Sequence, residues 1–175
     1  DDCRVTKSLW NLFDEADVIV AHNCFKFDRK RANTRFLVNG MTPPSPYRVI
    51  DTLKEVKKEF AFSSNRMDFI NSVLGLERKR ATGGMELWTK CYAGDEESLK
   101  NMSKYCDQDI VVLEDLYYQI SPWIRSNINF GAYSTLEVEV CSHCGSDDIH
   151  LSNGKYFTNV SKFPVYKCSR CGGYS

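Results

Sequence analysis

Apolar residues recur at helical spacing in "VTKSLWNLFDEA", residues 5–16, where Leu9, Trp10, Leu12, Phe13 and Ala16 mark one face. The run that follows, "DVIVA", is too short and too rich in β-branched residues to extend that helix, and it predicts a buried strand. From Asp28 to Val38 the period is helical again, with Gly40 as a C-terminal stop before the rigid loop "MTPPSP". A short strand near "RVI" then meets "DTLKEVKKEF", where Asp51 is placed to cap a helix. "SNRMDFINSVLG" and the region around "MELWTKC" predict two more helices, separated by the basic, glycine-containing "ERKRATGG". After "AGDEES", whose acids suit a helix N-terminus, Leu99, Met102, Cys106, Ile110, Leu113, Tyr117 and Ile120 make a long apolar stripe that Pro122 ends.

This alternation predicts an α/β domain over residues 1–122. Residues 123–138 sustain no period and read as a linker, and residues 139–175 alternate turns and aromatics inside a frame of cysteine pairs. Only two convincing strands occur before residue 123, and a two-stranded sheet is marginal in water. The expectation is therefore that an upstream segment or a second chain completes the sheet. The chain opens on Asp1 rather than methionine, in keeping with a piece of something longer.

Composition changes this picture little. Of 175 residues 42% are hydrophobic, and Lys plus Arg balance Asp plus Glu at 23 each, so attraction to phosphate must come from local patches. No stretch approaches the roughly 18 continuous apolar residues of a membrane span, and "DDCRVTK" lacks the regions of a signal peptide. Both point to a cytoplasmic protein, in the host cytoplasm if the source is viral, with no membrane partner.

The cysteines carry chemistry. Cys141-x-x-Cys144 and Cys168-x-x-Cys171 each present two thiolates from a tight turn, and glycine follows the second cysteine of both pairs. Four thiolates suit structural Zn²⁺, although rubredoxin-like iron would use the same set, and His143 and His150 are the substitute ligands. A closed site of this kind folds a segment too short to build a core. Between the pairs, "KYFTNVSKFPVYK" interleaves Lys155, Lys162 and Lys167 with Tyr156, Phe157, Phe163 and Tyr166. That pattern fits a nucleic-acid surface or the small core of the unit. Cys3, Cys24, Cys91 and Cys106 are expected to be free, Cys24 and Cys106 in packing roles.

Carboxylates form the second cluster. Tyr105 and Asp109, four residues apart, share one face of the long helix, and Asp28 follows the end of the first strand in "AHNCFKFDRK". "HNCFKFD" resembles the second motif, and Tyr105-x-x-x-Asp109 the third, of the DEDDy branch of the DnaQ-like 3′–5′ exonucleases, which have an RNase H-like fold. The similarity extends through "NTRFLVNGMTPPSPYRVIDTLK", "ATGGMELW" and the C-terminal cysteine unit, and is greatest to stand-alone phage and prokaryotic proteins with a zinc ribbon.

The resemblance implies a nuclease in which two Mg²⁺ or Mn²⁺ ions hold the scissile phosphate of a nucleic acid, DNA rather than RNA. Asp28 and Asp109 would be metal ligands, Tyr105 would orient the attacking water, and His22, Asn23, Lys26 and Arg29 would meet substrate at the edge. Lys30, Arg31, Arg78, Lys79 and Arg80 are further phosphate contacts, or solvated charge. Asp51 and Asp68 read as a cap and a helix-start acid rather than ligands. The family's first motif, Asp-x-Glu on the opening strand, is not matched by Asp1 or Asp2. The rival expectation is a catalytically incomplete module that binds nucleic acid or a partner protein.

Overall fold

A computed structural model describes residues 2–78, 84–125, 128–135 and 137–175. Asp1, Lys79 and Arg80 lie outside them. Helix α1 (Cys3–Glu15) leads into strand β1 (Val18–Ala21), then α2 (Asp28–Val38), β2 (Arg48–Asp51) and α3 (Thr52–Glu59). Helices α4 (Met67–Leu74), α5 (Met85–Tyr92) and α6 (Glu96–Ile120) follow, and an antiparallel hairpin of β3 (Ile149–Phe157) and β4 (Lys162–Cys168) closes the chain. β1 and β2 run parallel, with Val18 opposite Arg48 and Ala21 opposite Asp51. Their connection runs through α2, as parallel pairing requires.

Local signals set the boundaries. Asp51 caps α3 by accepting from Leu53 N and Lys54 N, and the Asp95 carboxylate accepts from Ser98 N to start α6. α2 ends where Gly40 enters the left-handed region, φ 69°, and Met41 N returns to Phe36 O at 2.9 Å. α1 is tied to α2 by Phe13, edge-on to Phe36 at 5.6 Å and to Tyr47 at 5.3 Å. Arg35 Nε also donates to Asp2 at 2.6 Å.

The core gathers Ile50 of β2, Val56 of α3, Met67 and Ile70 of α4, and Val112, Leu116 and Ile120 of α6. Three expectations shift here. β1 is half-buried rather than buried, because among the described residues only β2 covers one of its edges. On α1, Val5, Leu9 and Leu12 stay exposed while Thr6 is buried. On α6 the buried line is Val112, Leu116 and Ile120, with Leu113 and Tyr117 half-buried, whereas Ile110 is 65% exposed and Leu99 and Cys106 also face solvent. The apolar stripe expected from Leu99 to Ile120 is thus rotated by about one residue in its N-terminal half. Continued back at spacings of three and four, the observed line reaches Asp109 and Tyr105. Cys106, expected to pack, therefore lies off it.

The stretch expected to be a linker contributes to the core. Ile124 is buried, Ile128 and Phe130 pack on the cluster, and Phe130 N donates to Ser142 O at 2.9 Å, which fastens the cysteine unit to the α/β part. In the hairpin, Tyr156 sits opposite Phe163, and both are exposed along with Phe157, so these rings do not form a small core.

Candidate active site and metal centre

The turn after β1 is built by one buried carboxylate. Asp51 Oδ1 accepts from Asn23 N at 2.8 Å and Oδ2 from Phe25 N at 3.2 Å, while Oδ1 also caps α3. The anchored turn holds Asn23 at φ 74°, the one non-glycine residue with positive φ among those described. Asparagine tolerates that region better than most residues, and such conformations gather at functional sites. Asn23 O then accepts from Phe27 N at 3.1 Å, which closes the turn and sets Asp28 in the first turn of α2.

His22 straps this turn to its surroundings. Its Nε2–H donates to Asn65 O at 3.2 Å, and Nδ1 lies 2.9 Å from Thr52 Oγ1, with Thr52 in turn donating to Ala21 O at 3.3 Å. The histidine therefore joins β1, α3 and the segment before α4. Cys24 is buried beneath the turn, and that burial, then the nearby Asp28 carboxylate, pushes its thiol up, which suits packing rather than nucleophilic chemistry.

Asp28 and Asp109, from elements 81 positions apart, line one open pocket of about 880 Å³. His22, Asn23, Asn65 and Asp68 share its wall, with Lys57 and Arg66 as its cations. Tyr105 is not among the lining residues; it is half-buried one turn before Asp109 on the same line of α6. Lys26 is exposed and also outside the lining, and the Arg29 guanidinium rests over the Phe25 ring at 4.8 Å.

Asp68, expected to be a helix-start acid, does stand in the first turn of α4, yet it faces the pocket and takes Arg78 at 2.6 and 3.2 Å. Sequence alone passed over Asn65, Lys57 and Arg66. The lysines of α3 look like a solvated face, and the one available signal was that Leu53 and Lys57 lie a turn apart. Asn71 fixes α4 against α6, its amide donating to Val112 O at 3.0 Å and Glu77 O at 3.1 Å.

The donor chemistry of this pocket fits a hard divalent cation. Its carboxylates belong to Asp28, Asp68 and Asp109, and the buried Asn65 Oδ1 has no hydrogen-bond partner among the described residues. Mg²⁺ commonly takes one or two carboxylates and keeps several waters. No three of these acids converge, however. Among the described residues the four cysteines are the one group of three or more candidate ligands with donor atoms within 4.8 Å of one another.

Those cysteines fit zinc in geometry. Cys141 Sγ to Cys171 Sγ and Cys144 Sγ to Cys168 Sγ are both 3.7 Å. Tetrahedral Zn–S bonds of about 2.3 Å set the sulfurs about 3.8 Å apart. Gly145 and Gly172, at φ 69° and 74°, turn the chain back so that their N–H groups reach Cys141 O and Cys168 O. Burial opposes ionisation of Cys168, but the N–H groups of Cys171 and Arg170 aim at its sulfur and bring it down to about 7. Burial pushes Cys144 and Cys171 up, so four thiolates here call for a cation among them. His143 Nε2 is engaged with Tyr174 O at 3.0 Å and His150 Nδ1 lies 3.4 Å from Ser169 Oγ, so neither imidazole joins the cluster.

Comparison with curated proteins and with solved structures returned no match. A protein-family model of the RNase H superfamily matches residues 1–121, the part that carries the turn after β1, α6 and the pocket between them. With well over half of its 175 residues covered by that match, the chain belongs to the RNase H superfamily.

Proposed function

We propose that this chain is a divalent-metal-dependent 3′–5′ exonuclease of the DEDDy kind acting on DNA, with a zinc ribbon that helps hold the strand. Its superfamily supports nuclease-type hydrolysis of nucleic acid at the coarse level. The observation that carries the finer reading is the meeting of Asp28 and Asp109 in one pocket with cations at its rim.

Asp28 and Asp109 would hold two Mg²⁺ or Mn²⁺ ions, which when bound supply water activation and stabilisation of the leaving oxygen. The chain's own groups do the rest. Lys57 and Arg66 meet the phosphates, His22 and Asn23 fix the rim, and Tyr105 orients the attacking water. Water oxygen bonds to phosphorus, the bond to the 3′ oxygen breaks, and that oxygen takes a proton. A 5′-mononucleotide leaves and the strand keeps a 3′-hydroxyl. Further carboxylates, in this reading, come from a segment or chain beyond these 175 residues.

A second reading, a module that binds nucleic acid or a partner protein without cutting, is favoured by the lack of three converging acids among the described residues. Digestion of a 5′-labelled single-stranded DNA, and of the matching RNA, with Mg²⁺ or Mn²⁺ separates the two. A ladder shortening from the 3′ end, absent in Asp28→Ala and in Asp109→Ala, supports the exonuclease. Binding without cleavage supports the second reading, and full activity in Asp109→Asn overturns the first.

A further inference from the structure

A second cavity, of about 730 Å³, lies where the end of α6 meets the cysteine unit, and it shares no lining residue with the pocket around Asp109. Tyr118, in its wall, stands nine residues beyond Asp109. At about 3.6 residues per turn that is two and a half turns, so the two cavities open on opposite sides of α6.

Three aromatic rings present themselves in this cleft, Trp123 at 63% exposure, Tyr118 at 59% and Tyr174 at 55%. Each is held rather than loose. Trp123 meets Phe60 edge-on at 5.9 Å, Tyr118 leans on Tyr117 at 5.8 Å, and Lys167 Nζ lies over the Tyr174 ring at 5.7 Å. Arg125 and Arg170 add two exposed guanidinium groups with no carboxylate partner among the described residues. The one acid of the wall, Glu59, already faces Lys58 at 3.2 Å. Fixed aromatic faces beside unpaired guanidinium groups match unstacked bases and the phosphates between them; a duplex hides its base faces.

We propose that this junction cleft binds a single-stranded segment of nucleic acid, with bases stacked on Trp123 and Tyr118 and phosphates held by Arg125 and Arg170. The proposal deepens the nucleic-acid reading above and rests on it for the class of ligand. It assigns the ribbon's contribution to the joint with α6 rather than to the hairpin alone. Because the cleft faces away from Asp109, removing it should weaken the grip on a strand and spare hydrolysis of a substrate too short to span both sites.

The test is fluorescence anisotropy of a labelled oligothymidylate over a salt series, using the zinc-loaded full chain with Asp28→Ala and Asp109→Ala so that the strand survives. Trp123→Ala should weaken binding roughly 5- to 160-fold, and Trp123→Phe should restore most of it. Arg125→Ala with Arg170→Ala should lower the slope of log affinity against log salt by about 1.4, the release from two phosphates. Unchanged affinity and slope in all these variants overturn the proposal. So would a Trp123→Ala chain, otherwise native, that loses dinucleotide hydrolysis as completely as strand binding. Failure of the nuclease reading looks different: no cleavage by the native chain in Mg²⁺ or Mn²⁺, with Trp123-dependent binding intact.

Discussion

Replacing Asp51 with alanine removes a carboxylate that is 5% exposed and serves two elements together. It caps α3 through Leu53 N and Lys54 N, and it holds the turn after β1 through Asn23 N and Phe25 N. Loss of the cap costs about 1 kcal/mol. Loss of a charged acceptor costs about 1.5–3 kcal/mol for each of the two turn N–H groups. The sum is roughly 4–7 kcal/mol, and because the turn is only part-buried and can take up water, the lower end, about 4 kcal/mol, is expected. Asp51→Asn keeps one accepting oxygen, which at Oδ1 still serves the cap and Asn23 N but puts an amide N–H₂ against Phe25 N, and should lose about half as much. Urea unfolding of the zinc-loaded chain measures both, with m unchanged if the native fold persists. Hydrolysis should fall in Asp51→Asn even where the chain is still folded, because the turn that sets Asp28 has lost one of its two bonds to residue 51. A cost below about 1 kcal/mol for Asp51→Ala would refute the argument, since it would leave capping as the residue's whole contribution.

Other outcomes follow from the same structure. Asn23→Gly should unfold at higher urea than Asn23→Ala, by about 1 kcal/mol, because φ 74° strains a side chain with no local hydrogen bond to offer. Titration of the chain with a mercurial should release one zinc as the four cluster thiols react, beyond the mercurial taken up by exposed cysteines such as Cys3 and Cys106, and far-ultraviolet circular dichroism should show α1–α6 largely retained while the hairpin signal is lost. Arg35 holds the Asp2 carboxyl down at about 2, against 3.8 unperturbed, so the pair stabilises above pH 3.8 and that contribution disappears as pH falls toward 2. The Tm difference between native chain and Arg35→Ala should be small at pH 6, smaller at high salt because both groups are exposed, and absent near pH 2.

The parts of the fold written in local chemistry were legible from residues alone. Asp51 as a cap, Gly40 as a stop and the two cysteine turns each depend on a handful of neighbours. α6 was harder. Leu99, Cys106 and Ile110 offer a continuous apolar period, but the line that faces inward passes through Asp109 and Tyr105, where an apolar residue would be the expected choice. The polar residues that stand on that line displaced the hydrophobic signal by about one position. Asp68 was legible only in part: its place in the first turn of a helix was read from the sequence and holds, but that local explanation hid its second setting, and only the fold shows it lining one pocket with Asp28 and Asp109. The contribution of Ile124, Ile128 and Phe130 to the core left no period to read, because the stretch packs as short turns rather than as a regular element.

The inward line of α6 also governs where the length of this chain can vary. Val112, Leu116 and Ile120 need only fill volume, so other apolar residues could take their places over generations. Insertion or loss of one residue between Asp109 and Val112 is another matter, because it would swing one half of the helix by about 100° against the other. Either Asp109 would leave the pocket or the three apolar residues would leave the core. The loop between α2 and β2 carries no such phase relation, and only its ties to α1 at Thr42, Ser45 and Tyr47 limit where it can lengthen, whereas the span from Tyr105 to Ile120 is fixed in count.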